Sequence, residues 1–506
     1  MTTLVLDGRS LTLSDLVRVT RDGALQIDLD REALDGLARS RSAVEAALAR
    51  GETMYGVNTG FGKLANVRIG PDDLERLQEN LIRSHAAGVG DPLPAAEVRA
   101  MMVLRANVLL RPTSGVRPVL VRALVDAING GLIPWVPEQG SVGASGDLAP
   151  LSHLALALMG EGSVLGEDGR SAPARSALAA RGLAPFRYGP KEGLAFINGT
   201  QAQTAMLALL VHDARVLWRS AIAAAAMSLE ALRGTPTPLD PRIHDARPHP
   251  GQRAAAELMR RLLADSEIRE SHRENDPRVQ DAYSLRCAPQ VLGAVADAID
   301  FAQRTLEVEL NASTDNPLVF DGEVLSGGNF HGQPVAQAMD VLAIALTTLQ
   351  AIAERRIERL VNPDLSQGLP AFLTADAGRS SGFMMVQITA ASLVAESRAL
   401  AHPASIGSIP TDANQEDFVP MGMAAAWKAR RILRNAQRVV AAEFYCAAQG
   451  LEFLQPLAPG RGVAELYHRI RTMPDPVAPW TDDRSPASDL DRLSRTVAAG
   501  TLDPGE

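Results

Sequence analysis

Apolar residues Leu34, Leu37, Val44 and Leu48 recur at helical spacing between polar positions, which predicts an amphipathic helix over 30–50. A shorter amphipathic stretch precedes it over 14–19. The segment 52–70 breaks the pattern, is dense in glycine and asparagine, and reads as loop. Helical periodicity returns over 72–87, 95–110 and 117–129, and ends at Gly130-Gly131, Pro134 and Pro137. Beyond Leu194 the pattern lengthens into segments at 201–233, 288–311, 333–361, 382–400 and 421–452. Each exceeds the usual helix of about 11 to 12 residues, and runs this long suggest a bundle. Strand signals are confined to 4–6 and 318–320. The tail 472–506 is polar and proline-bearing, with a short helix expected near 489–499. The fold class expected is all-α, mainly helical: a long central helix bundle with a smaller N-terminal region. The divisions expected are 1–200, 201–460 and a helical tail 461–506.

Composition agrees with helices packed on small side chains, since 46% of the 506 residues are apolar and only 4% aromatic. The net charge of −9 and the lack of a basic stripe argue against a nucleic-acid partner. Two cysteines, Cys287 and Cys446, make no disulfide framework or C-x-x-C pair, which suits a reducing cytoplasm. The N-terminus lacks the basic and apolar regions of a signal peptide. The most apolar helical stretch, 202–232, carries Asp213, Arg215, Arg219 and Glu230, and so reads as a buried helix rather than a membrane span.

The chemistry concentrates in one loop, Gln139-Gly-Ser-Val-Gly-Ala-Ser-Gly-Asp-Leu-Ala-Pro150. It has three readings. One is a glycine-rich turn before a helix. Another is a serine nucleophile, although the G-x-S-x-G elbow needs glycine where Asp147 stands. The third is a backbone-derived electrophile: the amide nitrogen of Gly146 attacks the carbonyl carbon of Ala144, and loss of water leaves Ser145 as a methylidene carbon. Glycine suits the nitrogen position because the required bend is one it visits cheaply.

Other loops pair small residues with reactive side chains. Tyr55 opens Y-G-V-N-T-G-F-G, which can be a surface loop with a buried aromatic or a closely approached backbone. Ser84-His85 follows a helix whose carbonyls His85 can cap. Asn198 precedes a long helix, where an N-cap is the ordinary role. Gln280, Tyr283 and Arg286 stand three apart, on one face if helical. Arg286 can clamp a carboxylate bidentately or pair with a structural acid. Gly327-Gly-Asn-Phe330-His331-Gly332 and Asn414-Gln-Glu416-Asp417-Phe418 complete the set. Glu416 and Asp417, adjacent in sequence, form no dyad. No H-x-x-H or H-E-x-x-H spacing suggests a metal, and neither a Walker loop nor a dinucleotide fingerprint is present.

Taken together, Ala144-Ser145-Gly146, Y-G-V-N-T-G-F-G, Asn198-G-T-Q, Q-D-A-Y-S-L-R-C, N-A-S-T-D-N-P and G-G-N-F-H resemble the histidine/phenylalanine/tyrosine ammonia-lyase family. The resemblance runs from about residue 4 to beyond 455, and the motifs fall in order along the chain. It implies an ammonia-lyase/fumarase-like fold with the base loop and the Ala-Ser-Gly triplet in region 1–200. It also implies 4-methylideneimidazole-5-one (MIO), formed autocatalytically from Ala144, Ser145 and Gly146, with no external cofactor or metal. Family members are homotetramers with active sites shared between subunits, acting on a small-molecule amino acid substrate, with no nucleic-acid or membrane partner.

Ser84-His85 and Glu416 resemble the histidine-specific branch, where an imidazole needs polar partners that a benzene ring does not. The reaction implied is non-oxidative loss of ammonia from L-histidine to give trans-urocanate. By the same resemblance the substrate amine meets the electrophile derived from Ser145, Tyr55 removes a β-proton, and Arg286 holds the carboxylate. Asn198 and Gln280 line the site, Tyr283 assists proton handling, and Phe330 packs beside the ring system. Ser84 and His85 belong to the substrate site, where His85 and Glu416 hold the imidazole, with Glu416 sharing in proton transfer. A tyrosine base needs its pKa lowered from about 10 by positive charge or hydrogen bonds.

This chain departs from the family pattern at Phe418 and Pro420, beside Glu416, and at Gly332-Gln333 after His331. These positions bear on ring preference. The alternatives are a phenylalanine or tyrosine ammonia-lyase and an MIO-dependent aminomutase. A helical scaffold without activity would be expected to have lost some of Tyr55, Ser145, Asn198, Tyr283 and Arg286, and all remain.

Overall fold

The computed structural model describes residues 3–21, 25–166 and 168–505. The mainly helical architecture expected from the sequence is found, with four small two-stranded sheets among the described residues. The chain folds as two compact units, one made of 1–209, 302–340 and 403–427, the other of 210–301, 341–402 and 428–506.

In the first unit, Thr3–Leu6 pairs in parallel with Gln26–Leu29, and Leu318–Phe320 forms a hairpin with Glu323–Leu325. Both strand signals in the sequence are therefore strands. Asp30 caps Arg31–Ala49, its Oδ1 accepting from the Ala33 amide at 2.8 Å. The inward face of that helix, Val44 and Ala47, packs on Met54, Val57 and Val319. Ala95–Leu109 is buried on nearly every side, and Leu74–His85, Leu148–Leu158 and Glu192–Ile197 pack against one another. The sequence pattern did not single out Leu148–Leu158 or Glu192–Ile197: short helices buried all round carry no amphipathic period.

The second unit takes most of the long helices Gln201–Ala231, Ala288–Glu309, Gln333–Val361 and Gly422–Glu452. Its core holds a fully buried Arg356–Glu443 ion pair at 2.5 Å, whose carboxylate also accepts from Ser228 Oγ at 2.7 Å. Such a pair offsets its desolvation only when its remaining lone pairs are satisfied, which the serine helps to do. Phe383 packs edge-on against Tyr445 at 4.6 Å and lies 5.1 Å from Trp480. Pro250–Leu262, a helix the sequence pattern missed, packs here on Arg461–Thr472, which lies in the tail expected to be helical. Gln333–Val361 is long and apolar enough to cross a membrane, but 67% of its apolar window is buried within the protein, as in a core helix.

Candidate active site

The glycine-rich loop turns sharply before Leu148–Leu158. Gly143, Ser145 and Gly146 have φ of 77°, 49° and 78°, so backbone bent out of the ordinary L-residue regions surrounds Ala144. At Gly146 a Cβ would lie 2.2 Å from the nitrogen and 2.3 Å from the oxygen of Gly199, which leaves room for glycine alone. Gly146 forms a parallel bridge with Gly199, and the Asp147 amide donates to the Gly199 carbonyl at 2.7 Å. On the preceding side, the Met421 amide donates to Val142 O at 2.8 Å and the Gly332 amide to Gly143 O at 3.2 Å. Three segments distant in sequence thus hold this loop through its own peptide groups.

Asn198 is not the N-cap of the long helix, which begins at Gln201. It closes Glu192–Ile197 instead, and its Nδ2 donates to the Ser145 carbonyl at 2.9 Å. Its Oδ1 is buried with no hydrogen-bond partner, an acceptor held ready beside the loop. Below it lies Arg105, fully buried, whose Nη1 donates to Asn198 O at 3.0 Å and to Gln201 Oε1 at 2.6 Å. Burial lowers the Arg105 pKa to about 10, so the guanidinium stays charged near neutrality. Asp147 is equally buried. Its carboxylate accepts from Gln203 N at 2.8 Å, Gln203 Nε2 at 3.2 Å and Ser141 Oγ at 3.1 Å, while burial pushes its pKa up to about 7.

Ser145 Oγ donates to Glu416 Oε1 at 2.5 Å, and Thr411 Oγ1 donates to Glu416 Oε2 at 2.7 Å. Tyr55 is half-buried and its hydroxyl accepts from the Gly62 amide at 3.0 Å. Burial is the largest influence on the phenol and raises its pKa; the Gly62 bond opposes this, and the carboxylates of Asp412 and Glu416 raise it further. The direction is opposite to what a tyrosine base requires, because the charges acting on Tyr55 within the chain are carboxylates rather than cations. His85 Nδ1 lies 2.9 Å from Leu81 O and 3.0 Å from Ser84 Oγ. Burial lowers the His85 pKa, while the Leu81 carbonyl and the carboxylates of Glu416 and Asp412 act the other way. With Nδ1 satisfied by its own helix turn, the neutral ring has Nε2 left as an acceptor.

Phe330 is half-buried in the loop before Gln333–Val361. The next residue, His331, stacks on Phe418 with ring centres 6.2 Å apart and planes 15° apart, and its Nε2 lies 3.1 Å from Phe418 O. Pro420 packs where a side chain on Gly143 would go, its Cγ 3.0 Å from that position. Both departures from the family pattern therefore bear on the segments that hold the glycine-rich loop.

Gln280, Tyr283 and Arg286 form a group of their own in the second unit. They do not share one helical face as their spacing suggested: the helix is a single turn, Tyr283–Arg286, and Gln280 lies outside it. The Arg286 guanidinium sits 4.6 Å over the Tyr283 ring, and its Nε donates to Asp281 O at 3.0 Å. Gln280 and Arg286 line a cavity of about 450 Å³ together with His272, Arg278 and Cys287. Arg278 already pairs with Asp276 and Asp281, whereas no described ion pair engages Arg286 or Arg269, which also lines this cavity.

The model of the family described as aromatic amino acid lyase matches residues 11–472. The chain belongs to the aromatic amino acid lyase family. A histidine ammonia-lyase of Anaeromyxobacter dehalogenans (strain 2CP-C) is 51% identical over 512 residues, spanning 99% of this chain and 100% of that protein. Among solved structures, histidine ammonia-lyase from Trypanosoma cruzi superposes with a TM-score of 0.91 at 43% identity, covering 99% of this chain and 94% of the other. Tyrosine aminomutase from Streptomyces globisporus gives 0.92 at 38%, covering 99% and 98%. Within this aromatic amino acid lyase, sequence reasoning did not single out Arg105, Gln203, Thr411 or Asp412. Only Arg105 left a trace, as a cation set among Val103, Leu104 and Ala106.

Proposed function

We propose that the chain is a histidine ammonia-lyase, eliminating ammonia from L-histidine to give trans-urocanate, with Ala144, Ser145 and Gly146 as the source of an MIO group. The observation that carries the reading is the setting of Ser145. Its backbone is bent to φ 49°, its carbonyl is held by Asn198, its hydroxyl is held by Glu416, and Gly146 is pressed where no Cβ fits. Identity of 51% to a named histidine ammonia-lyase across the whole chain supports the same reading.

The residues fit such a group: the close packing of Gly146 on Gly199 leaves space for glycine alone, and the unpartnered Asn198 Oδ1 faces no competing donor. When formed, MIO supplies an electrophilic carbon that makes the substrate amine a better leaving group. The surrounding side chains do the rest. Tyr55 takes the β-proton at its phenol oxygen, stabilised as phenolate by the Gly62 amide. His85 and Glu416 hold the imidazole, and polar contacts of that kind discriminate against a phenyl ring. Arg286, backed by the Tyr283 ring, binds the substrate carboxylate, with Gln280 beside it. Phe330 packs beside the substrate site.

The working form is a homotetramer with shared active sites. The exposed apolar residues Val341, Ile344, Met385 and Ile388 on two long helices support self-association. Two free cysteines support a cytoplasmic, reducing setting.

Purified protein given L-histidine, L-phenylalanine or L-tyrosine separately, with the ultraviolet absorbance of each conjugated acid followed, tests the reading. Urocanate should form fastest. Cinnamate or coumarate forming faster overturns the substrate assignment, and a β-amino acid as main product points to an aminomutase.

A further inference from the structure

The segment 411–418 reaches the site from two directions at once. Asp412, Ala413 and Asn414 are consecutive non-glycine residues with φ of 48°, 51° and 65°, a conformation L-residues avoid unless their surroundings impose it. The turn is closed by paired backbone bonds between Thr411 and Glu416, at 2.9 Å and 3.3 Å. One end presents Glu416 to Ser145. The other end presents Asp412, whose Oδ2 accepts from the Lys63 amide at 3.0 Å. The neighbouring Gly62, at φ 53°, would carry a Cβ only 2.0 Å from that same oxygen. The absence of a side chain at Gly62 therefore makes room for the Asp412 carboxylate, and the Gly62 amide is the one that donates to the Tyr55 hydroxyl.

We propose that Asp412 is a positioning residue that latches the 411–416 turn onto the Gly62–Lys63 peptide and so fixes the Tyr55 hydroxyl in register with Glu416 and Ser145. Asp412 touches neither substrate nor reacting atoms. It acts through Gly62, by anchoring the short turn Gly62–Leu64 whose first amide is the hydrogen-bond donor to the phenol. The strained backbone of 412–414 accompanies this docking: from this turn, wound in the left-handed region, the carboxylate reaches the Lys63 amide. Its charge has a second effect, since Asp412 and Glu416 are the carboxylates facing Tyr55 and His85.

The proposal rests on the ammonia-lyase reading only for its kinetic part. Hydrogen exchange of the Gly62, Lys63 and Leu64 amides tests the latch in the full-length protein without any substrate. Asp412→Ala should speed that exchange about tenfold or more and lower kcat by about tenfold, in keeping with the sensitivity of catalysis to small misplacements. The ultraviolet absorbance of the prosthetic group should be retained. Asp412→Asn keeps an acceptor for the Lys63 amide, so it should restore slow exchange and most of kcat. It removes a carboxylate that raises the Tyr55 pKa, so the acid limb of its kcat/KM profile should move to lower pH. Wild-type exchange in Asp412→Ala, or an Asn variant as impaired as the Ala variant with an unmoved acid limb, overturns the proposal. A wild-type protein that deaminates no amino acid refutes the function and leaves the exchange result standing.

Discussion

The hydroxyl of Ser145 and the carboxylate of Glu416, 271 positions apart in sequence, are joined by a hydrogen bond of 2.5 Å. The carboxylate's other oxygen is taken by Thr411, so Glu416 is held at both ends before ring closure, and loss of the Ser145 hydroxyl as water frees one of its oxygens for the substrate. Glu416→Gln keeps the shape and one acceptor but removes the charge. Turnover of L-histidine should fall by about 10² or more, the range of general acid–base contributions, while the absorbance of the prosthetic group persists. Steady-state kinetics beside an absorbance spectrum of the same preparation checks both halves.

Gly146→Ala tests the bend directly. Alanine at φ 78° costs roughly 1–2 kcal/mol for the left-handed backbone alone, and its Cβ would collide with Gly199. The variant should fold with a lowered melting temperature and show neither prosthetic-group absorbance nor turnover. Ser145→Ala should be equally inactive but closer to wild type in melting temperature. An active Ser145→Ala protein would refute the prosthetic-group mechanism.

His85→Leu addresses ring preference. Removing a polar partner for the imidazole should lower kcat/KM for L-histidine by about 10² or more, and it should not lower the value for L-phenylalanine. The ratio of the two constants is the measurement; a ratio unchanged from wild type would mean that His85 only caps its helix through Leu81.

Asp147 makes stability depend on pH. Its pKa is about 7 in the fold against 3.8 for an ordinary aspartate, so the native state keeps a proton that the unfolded chain releases. The stabilisation is complete below about pH 4 and is lost as the pH rises to about 7. Relative to Asp147→Asn, wild type should therefore lose up to about 4 kcal/mol across that window. Glu230, also near 7, is common to both proteins and cancels in the difference. Urea midpoints of the pair at several pH values provide the test, and a flat difference would show that Asp147 is charged throughout.

The long helices were readable because period and length are local properties: Gln333–Val361 falls where the pattern placed it. Short buried helices such as Glu192–Ile197 were not, since no polar face marks them. At the site, Ser145 and Asn198 stood out through their small neighbours, but their mutual contact did not, nor did the reason for it. Asn198 looked like a cap because capping is what asparagine before a helix ordinarily does; only the fold shows its amide turned toward Ser145. Asp412 and Thr411 left no signal at all, because their importance lies in which peptides they meet. The charge around Tyr55 was likewise hidden, as it depends on carboxylates more than 350 residues further along the chain.

The loop 142–147 is stitched by amides from Met421 and Gly332 and by the carbonyl of Gly199. Those partners are all made after it: a ribosome that has just completed Ser145 has produced none of them. On the proposed mechanism, ring closure is therefore expected to wait until residue 421 has left the ribosome and docked. The absorbance of the finished group is then a clock that starts when this unit has assembled, and nascent or truncated chains should be colourless at that wavelength however long they are left.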